Sequence, residues 1–171
     1  MRHNPRLVAQ GAIGQNIVAA TPLQMAMVGA AIANKGRMMA PRLVLSVGRK
    51  RIAPELMSTA MGEETAARLT YAMTAVMTEG TGKALPGIYR DADGCFRTGG
   101  DGDGHPVAVA AKTGTAEVEG KAPHAWFLAF APASDPKAVV CVFLENGGWG
   151  AGAAGPPGMT VLAAALNSMV E

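Results

Sequence analysis

Between Val107 and Glu117 the chain reads Val-Ala-Val-Ala-Ala-Lys-Thr-Gly-Thr-Ala-Glu, an apolar run that turns polar over its last residues. A run this short and sharply bounded predicts a buried strand rather than a helix. Two similar runs follow at 126–131 and 138–144. The link Ala131-Pro132-Ala133-Ser134-Asp135-Pro136-Lys137 is short and rich in turn formers, so the second and third runs are predicted to pair antiparallel. The longer link from Ala116 to Ala125 also suits an antiparallel return. Any fold built on such a meander must cover both of its faces.

Helices are the available cover. Thr21-Pro22-Leu23-Gln24 combines an N-cap hydroxyl, a proline at the first helical position and a glutamine that completes a capping box. It predicts a helix over 22–34, with Leu23, Met27, Ala30 and Ala31 on one face and a left-handed stop at Asn34-Lys35-Gly36. Glu63 to Thr78 is a second helix, with acidic residues in its first turn and Ala66, Leu69, Met73, Val76 and Met77 at core spacing. Met159–Val170 closes the chain as an amphipathic helix with Val161, Leu162, Leu166 and Met169 apolar.

The rest is patterned more weakly. Residues 1–20 read as an irregular lead-in broken by Gly11 and Gly14. Pro41–Val47 is predicted as a short strand closed by the solvated turn Gly48-Arg49-Lys50-Arg51, and Pro54–Ala60 as a helical turn. The glycine-punctuated stretch 86–106 reads as loop, and Gly147–Gly158 as flexible.

Composition removes several function classes. Hydrophobic residues make up 49% and aromatics 5%, so the core is expected to consist of Ala, Val, Leu and Met. A net charge of +2, without a basic stripe interleaved with aromatics, argues against nucleic acid as a partner. No apolar stretch reaches membrane-spanning length. Cys95 and Cys141 could form one disulfide, although Cys141 lies in an apolar run and suits a small buried hydrophobe. Their presence leaves the redox compartment open.

The chemistry concentrates at Lys112-Thr113-Gly114-Thr115. Alternation sends Lys112 and Gly114 to one face and Thr113 and Thr115 to the other, but a twisted edge strand can aim the ammonium and the hydroxyls into one cleft. There the lysine supplies positive potential, the hydroxyls hydrogen-bond a carboxylate, and Gly114 lets a substrate approach the backbone. The Thr115 backbone N–H is a candidate oxyanion-hole donor, worth about 3 kcal/mol in a transition state.

Other signals are weaker. His105 and His124 lack partners at metal-ligand spacing, so no metal is expected. His124 reads as a surface histidine, with substrate contact as its alternative. Asp91-Ala-Asp93 and Asp101-Gly-Asp103 resemble calcium-loop openings without the closing glutamate. Gly80-Thr81-Gly82-Lys83 resembles a phosphate loop, but Ala84 stands where the metal-binding hydroxyl belongs. Trp126 and Phe127 read as core, and Trp149 as partly exposed.

Six segments recur in a telling order: Gly14-Gln15, Thr21-Pro-Leu-Gln-Met-Ala26, Ile32-Ala-Asn-Lys-Gly36, Gly80-Thr-Gly82, Ala111-Lys-Thr-Gly-Thr-Ala116 and Trp126-Phe-Leu-Ala-Phe-Ala-Pro132. Together they resemble the C-terminal half of the transpeptidase domain of class B penicillin-binding proteins, over almost the whole chain. The resemblance implies an α+β fold. It would be a three-stranded antiparallel meander, part of a larger five-stranded sheet, flanked by helices in a two-lobed domain of which 1–171 is a part. It also implies an acyl-serine mechanism acting on peptidoglycan stem peptides and on β-lactams, with no cofactor. Lys112, Thr113, Gly114 and Thr115 match the substrate-binding strand of that family. The resemblance places full-length relatives on the extracytoplasmic face of the bacterial cytoplasmic membrane.

Two motifs of that family are missing. The only Ser-x-x-Lys is Ser134-Asp135-Pro136-Lys137, where Pro136 and the strand pattern predict a turn instead of the helix that would bring Ser and Lys together. No Ser-x-Asn occurs. In the family both precede the segment like Thr21–Gln24, so the resemblance places them before Met1 and implies a chain inactive by itself. A serine β-lactamase or D,D-carboxypeptidase portion is the alternative with the same strand, and a non-catalytic ligand-binding module is the other. The Thr21–Gln24 and Gly80–Gly82 segments favour the transpeptidase. Without the family's further strands, 138–144 is expected to be an apolar edge prone to self-association.

Overall fold

The computed structural model describes residues 5–16, 18–99 and 104–169. In chain order they form α1 (Pro5–Ala12), α2 (Pro22–Ala33), β1 (Arg37–Met39), β2 (Ser46–Val47), β3 (Lys50–Arg51), β4 (Leu56–Thr59) and α3 (Glu63–Thr78). Then follow β5 (Ile88–Arg90), β6 (Phe96–Thr98), β7 (His105–Val107), β8 (Ala110–Ala116), β9 (His124–Ala131), β10 (Ala138–Leu144), α4 (Gly150–Ala153) and α5 (Gly155–Asn167). The fold is α+β.

The predicted meander is its centre. β8, β9 and β10 pair antiparallel, with Ala116 opposite His124 and Ala131 opposite Ala138. One face carries Ala111, Phe127, Ala129 and Val140 under Met159, Leu162 and Leu166 of α5. The other carries Ala110, Leu128 and Phe130 under Ile32 of α2 and Met73 of α3. Alanines on the strands let helices lie close, and Phe127 and Phe130 fill the space between them, both fully buried. Each such aromatic contributes about 1.5–3 kcal/mol by leaving water.

Helix α2 starts as its sequence dictates. Thr21 Oγ1 accepts from the Gln24 amide at 3.2 Å, and the Thr21 amide donates to Gln24 Oε1 at 2.8 Å. Its buried face differs from the expected one: Leu23 is 58% exposed and Ala30 is exposed, whereas Gly29, Ala31 and Ile32 are buried. Gly29 sets the rotation, since a Cβ there would stand 2.7 Å from Leu128 Cδ1. Glycine lets the helix settle onto the sheet there without the Leu128 side chain having to move aside.

Several expectations are corrected. Residues 5–12 form α1 despite Gly11, because one internal glycine costs only about 1 kcal/mol. Pro41–Val47 is not a strand beyond Ser46–Val47, and Leu43 is fully exposed. That run has apolar residues but no partner ladder. The basic tetrad turns the β2–β3 hairpin, as expected in part. Pro54–Ala60 is extended, not helical, because Leu56–Thr59 finds a ladder partner in Arg37–Met39. The 86–106 region, read as loop, holds a small sheet of order β6-β5-β7 whose glycines mark the bends between strands. Gly147–Gly158 contains α4 and the first turn of α5, where Pro156 and Pro157 are tolerated because early helical amides need no partner. On α5, Val161 and Met169 are exposed while Leu162 and Leu166 are buried. Leu69 lies at the exposed border of α3. Val170 and the Asp101-Gly-Asp103 signal lie outside the described residues.

Candidate functional site

β8 begins later than the apolar run suggested, so Lys112-Thr113-Gly114-Thr115 lies inside the strand rather than at a closing turn. One edge of β8 pairs with β9, and no strand among the described residues pairs with the other. Lys112 is exposed, and its ammonium folds onto the Thr113 carbonyl. Thr113 is 9% exposed, and its Oγ1 lies 2.6 Å from Thr81 Oγ1. Thr115 Oγ1 accepts from the Gly150 amide at the start of α4, at 3.2 Å.

Strict alternation therefore holds, and the expected convergence of ammonium and hydroxyls on one cleft is not found. Both threonine side chains point to the α4–α5 face, because Thr81 and Gly150 supply partners there. Their donor capacity is not used up. The Thr81–Thr113 pair spends one of two hydroxyl hydrogens, and Thr115 Oγ1 only accepts. Thr81, singled out in the sequence only as part of a glycine-flanked triplet, is thus tied directly to the tetrapeptide.

Beside this strand lies a cavity of about 360 Å³. Ile13, Val18, Met25, Trp126 and Cys141 supply much of its wall, and Lys112 to Thr115 run along it. Among the described residues that line it, none is a serine, a histidine or a carboxylate. Burial pushes the Cys141 thiol up, which favours its protonated form. The cavity thus presents a cation, strand-edge amides and apolar walls, but no attacking group. Trp126, expected in the core, instead borders the cavity with its ring against Phe143 at 4.5 Å between centroids.

Residues 3–166 match the family model described as the penicillin binding protein transpeptidase domain. The chain belongs to that family. Peptidoglycan D,D-transpeptidase PbpA of Mycolicibacterium smegmatis is 39% identical over 94% of this chain and 32% of its own length. PbpA of Mycobacterium tuberculosis is 37% identical over 91% of the chain and 31% of its own length. Among solved structures, the ceftriaxone acyl-enzyme of penicillin-binding protein A from M. tuberculosis superposes with a TM-score of 0.77 at 34% identity. It covers 95% of this chain and 36% of the larger one. Pseudomonas aeruginosa PBP2 in complex with WCK 5153 gives 0.72 at 28% identity, over 99% and 34%. The chain thus spans about a third of the length of the relatives it matches.

Within this penicillin-binding protein segment, the remaining sequence signals have structural explanations. Ser134 sits in the β9–β10 connection, exposed, and Lys137 pairs with Asp135 at 2.7 Å. No helix aligns Ser134 with Lys137, as the sequence predicts. His124 opens β9, where its Nδ1 accepts from the Asn146 amide at 2.9 Å and its ring meets Phe143 edge-on at 5.3 Å. His105 lies on β7 opposite Arg90. Asp91 Oδ1 accepts from the Asp93 and Cys95 amides at 3.1 and 2.8 Å, which closes the β5–β6 turn. The Arg97 guanidinium and these amides hold its carboxyl below the usual range. Gly80-Thr81-Gly82 forms the turn after α3, with the Gly82 amide donating to the Val76 carbonyl at 2.9 Å. Cys95 and Cys141 are both free thiols. Trp149 is 77% exposed. No helix among the described residues is long and apolar enough to cross a membrane.

Proposed function

We propose that this chain forms the strand-side wall of a D,D-transpeptidase active site that binds peptidoglycan stem peptides and β-lactams. The observation that carries the reading is the Lys112–Thr115 edge bordering a cavity without a nucleophile, in a chain of this family. Lys112 attracts the substrate carboxylate, Gly114 leaves room beside the strand, and the Thr113 and Thr115 hydroxyls, on the α4–α5 face, hold the strand in place. The Thr115 carbonyl faces away from β9, because Gln15 Nε2 donates to it at 3.1 Å. A strand residue's N–H and C=O point the same way, so the Thr115 N–H also faces the free edge, where an oxyanion donor is needed. The attacking serine, its lysine and the Ser-x-Asn belong to polypeptide preceding residue 1 in the full domain, which sits at the extracytoplasmic face of the membrane.

Carboxylate attraction alone gives reversible binding, whereas a transpeptidase leaves a covalent adduct; fluorescent penicillin separates the two. The 171-residue chain alone stays unlabelled, while the chain joined to an upstream segment carrying Ser-x-x-Lys and Ser-x-Asn is labelled at that serine. Labelling of the chain alone would refute the assignment of the nucleophile, and an unlabelled joined protein would refute the reading.

The outer edge of β10 has no strand partner among the described residues, although Val140 is buried and its neighbours half-buried. The isolated chain self-associates through this edge, and sedimentation reads it. Val142→Lys shifts the distribution toward monomer, since a charge on an edge strand opposes pairing. A monodisperse monomer that melts cooperatively would contradict this.

A further inference from the structure

Residues 41–60 are exposed without exception, although they belong to a folded ribbon. Its two arms run from β1 into β2 and from β3 into β4. Between the paired strands, the Ala40 amide donates to the Glu55 carbonyl and the Ile52 amide to the Leu45 carbonyl, both at 2.9 Å. Gly48 turns the tip with a φ of 58°, a positive value that a two-residue hairpin loop needs at its first position.

This ribbon holds Leu43, Leu45, Val47, Ile52, Leu56 and Met57 in the open. Single exposed apolar residues need no explanation, but a contiguous group marks a contact surface. Its charge is one-sided too. Four of the chain's 15 cations and one of its 13 carboxylates fall within 41–60, which leaves 11 against 12 elsewhere. The whole positive excess of the chain therefore sits here. The four are Arg42, Arg49, Lys50 and Arg51, and none joins a salt bridge among the described residues.

The register sorts these residues. Ser46 pairs with Arg51 and Val47 with Lys50. Side chains alternate across a strand, so Leu45, Val47, Lys50 and Ile52 share one face, and Ser46 and Arg51 share the other. Backbone groups alternate as well. The Ile52 amide points inward to Leu45, so the Arg51 amide and carbonyl point outward along the edge of β3. No strand among the described residues takes that edge.

Edge hydrogen-bond groups, an apolar row and free cations thus meet in one place, and one class of occupant uses all three. A bilayer would cover the apolar row and attract the cations, but it supplies no partners for edge amides. A second copy would bring its own four cations against these. An extended acidic peptide pairs with the edge, alternates its side chains in step with the ribbon and supplies carboxylates.

We propose that the outer edge of β3 is a docking edge for a partner protein, which adds an extended segment with apolar residues at alternate positions and carboxylates between them. Its apolar side chains continue the row from Leu45 through Ile52, and its carboxylates lie beside Arg51 on the opposite face. The proposal does not rest on the transpeptidase reading, which labelling by penicillin decides separately.

The probe is a short fluorescein-labelled peptide of alternating glutamate and valine, followed by fluorescence anisotropy with the 171-residue chain and with the joined protein. Both bind it, and the Arg51 amide exchanges at least about tenfold more slowly in the complex. Val47→Ser combined with Ile52→Ser weakens binding at least about tenfold, and added salt weakens it further because exposed charges are screened. Arg51→Gln removes the charge and keeps the edge donor, whereas Arg51→Pro removes both without breaking a ladder bond to β2. The proline variant binds at least about threefold more weakly than the glutamine variant, since main-chain bonds carry affinity in strand addition.

A peptide with the same residues in two blocks, glutamates and then valines, binds at least about tenfold more weakly. Equal binding would reduce the effect to charge attraction and overturn the proposal. So would a proline variant no weaker than the glutamine variant. Binding by the chain but not by the joined protein would show the ribbon covered in the full domain, which also overturns it. If neither protein binds the peptide, the proposal falls. Sedimentation with vesicles of equal parts phosphatidylglycerol and phosphatidylcholine would then assign the ribbon to a membrane, and reduced self-association of the serine variant would assign it to a second copy.

Discussion

The strand β9 and the segment from Pro41 to Met57 both carry clusters of apolar residues, and these end in opposite environments. Every residue of β9 from Phe127 to Ala131 is buried between two helical layers. In the other segment Leu43, Val44, Leu45, Val47, Leu56 and Met57 are all exposed, Leu43 completely. The difference is the presence of a second surface. β9 has a ladder on each side and helices on both faces, whereas the β2–β3 hairpin pairs only with itself. Hydrophobic residues therefore announce a wish for burial, and the connections around them decide whether it is met.

Stability measurements break or sharpen this contrast. The largest effect is expected at Phe130, where substitution by alanine costs about 3–5 kcal/mol through lost burial and a cavity. Leu43→Ala is expected to stay within about 0.5 kcal/mol. Denaturant midpoints of the two variants give the comparison, and equal losses would mean that the hairpin is covered in solution.

A smaller effect tests the border between the two regions, where α2 begins. Thr21→Ala removes the hydroxyl half of the capping box and is expected to cost about 1 kcal/mol, read from the thermal midpoint. The smallest effect concerns the Asp91 turn. Its carboxyl is held below the ordinary range by Arg97 and by backbone amides, so it binds protons less readily in the folded chain than in the unfolded one. Its contribution is complete above the unfolded value of about 3.9 and is lost as pH falls through the depressed folded value. Protection of the Cys95 amide, relative to its intrinsic exchange rate, should therefore fall on acidification in the parent chain, and Asp91→Ala should remove that dependence.

The sequence was legible where a local rule had a local outcome. The capping box of α2 is bonded as Thr21 and Gln24 predict, and α3 spans the residues its spacing and acidic first turn indicate. The meander followed from three runs and their connections. What escaped depended on partners distant in sequence. Leu56–Thr59 becomes a strand only because Arg37–Met39 is available, and the 86–107 sheet pairs residues too polar and glycine-rich to show alternation. At the site, Lys112 to Thr115 were found from residue types, but the destinations of the two hydroxyls were not, since Thr81 and Gly150 lie on elements whose docking no spacing reveals.

The bond between Thr81 and Thr113 joins an exposed hydroxyl to a buried one, and this makes the pair unequal under substitution. Replacing Thr113 with valine leaves the Thr81 hydroxyl to water, which solvates it at little cost. Replacing Thr81 with valine takes that partner from the Thr113 oxygen, on a residue only 9% exposed, at about 1–3 kcal/mol. Drift at position 113 is therefore cheap for folding and is restrained only by what the cleft must bind, whereas position 81 is held in place by folding itself.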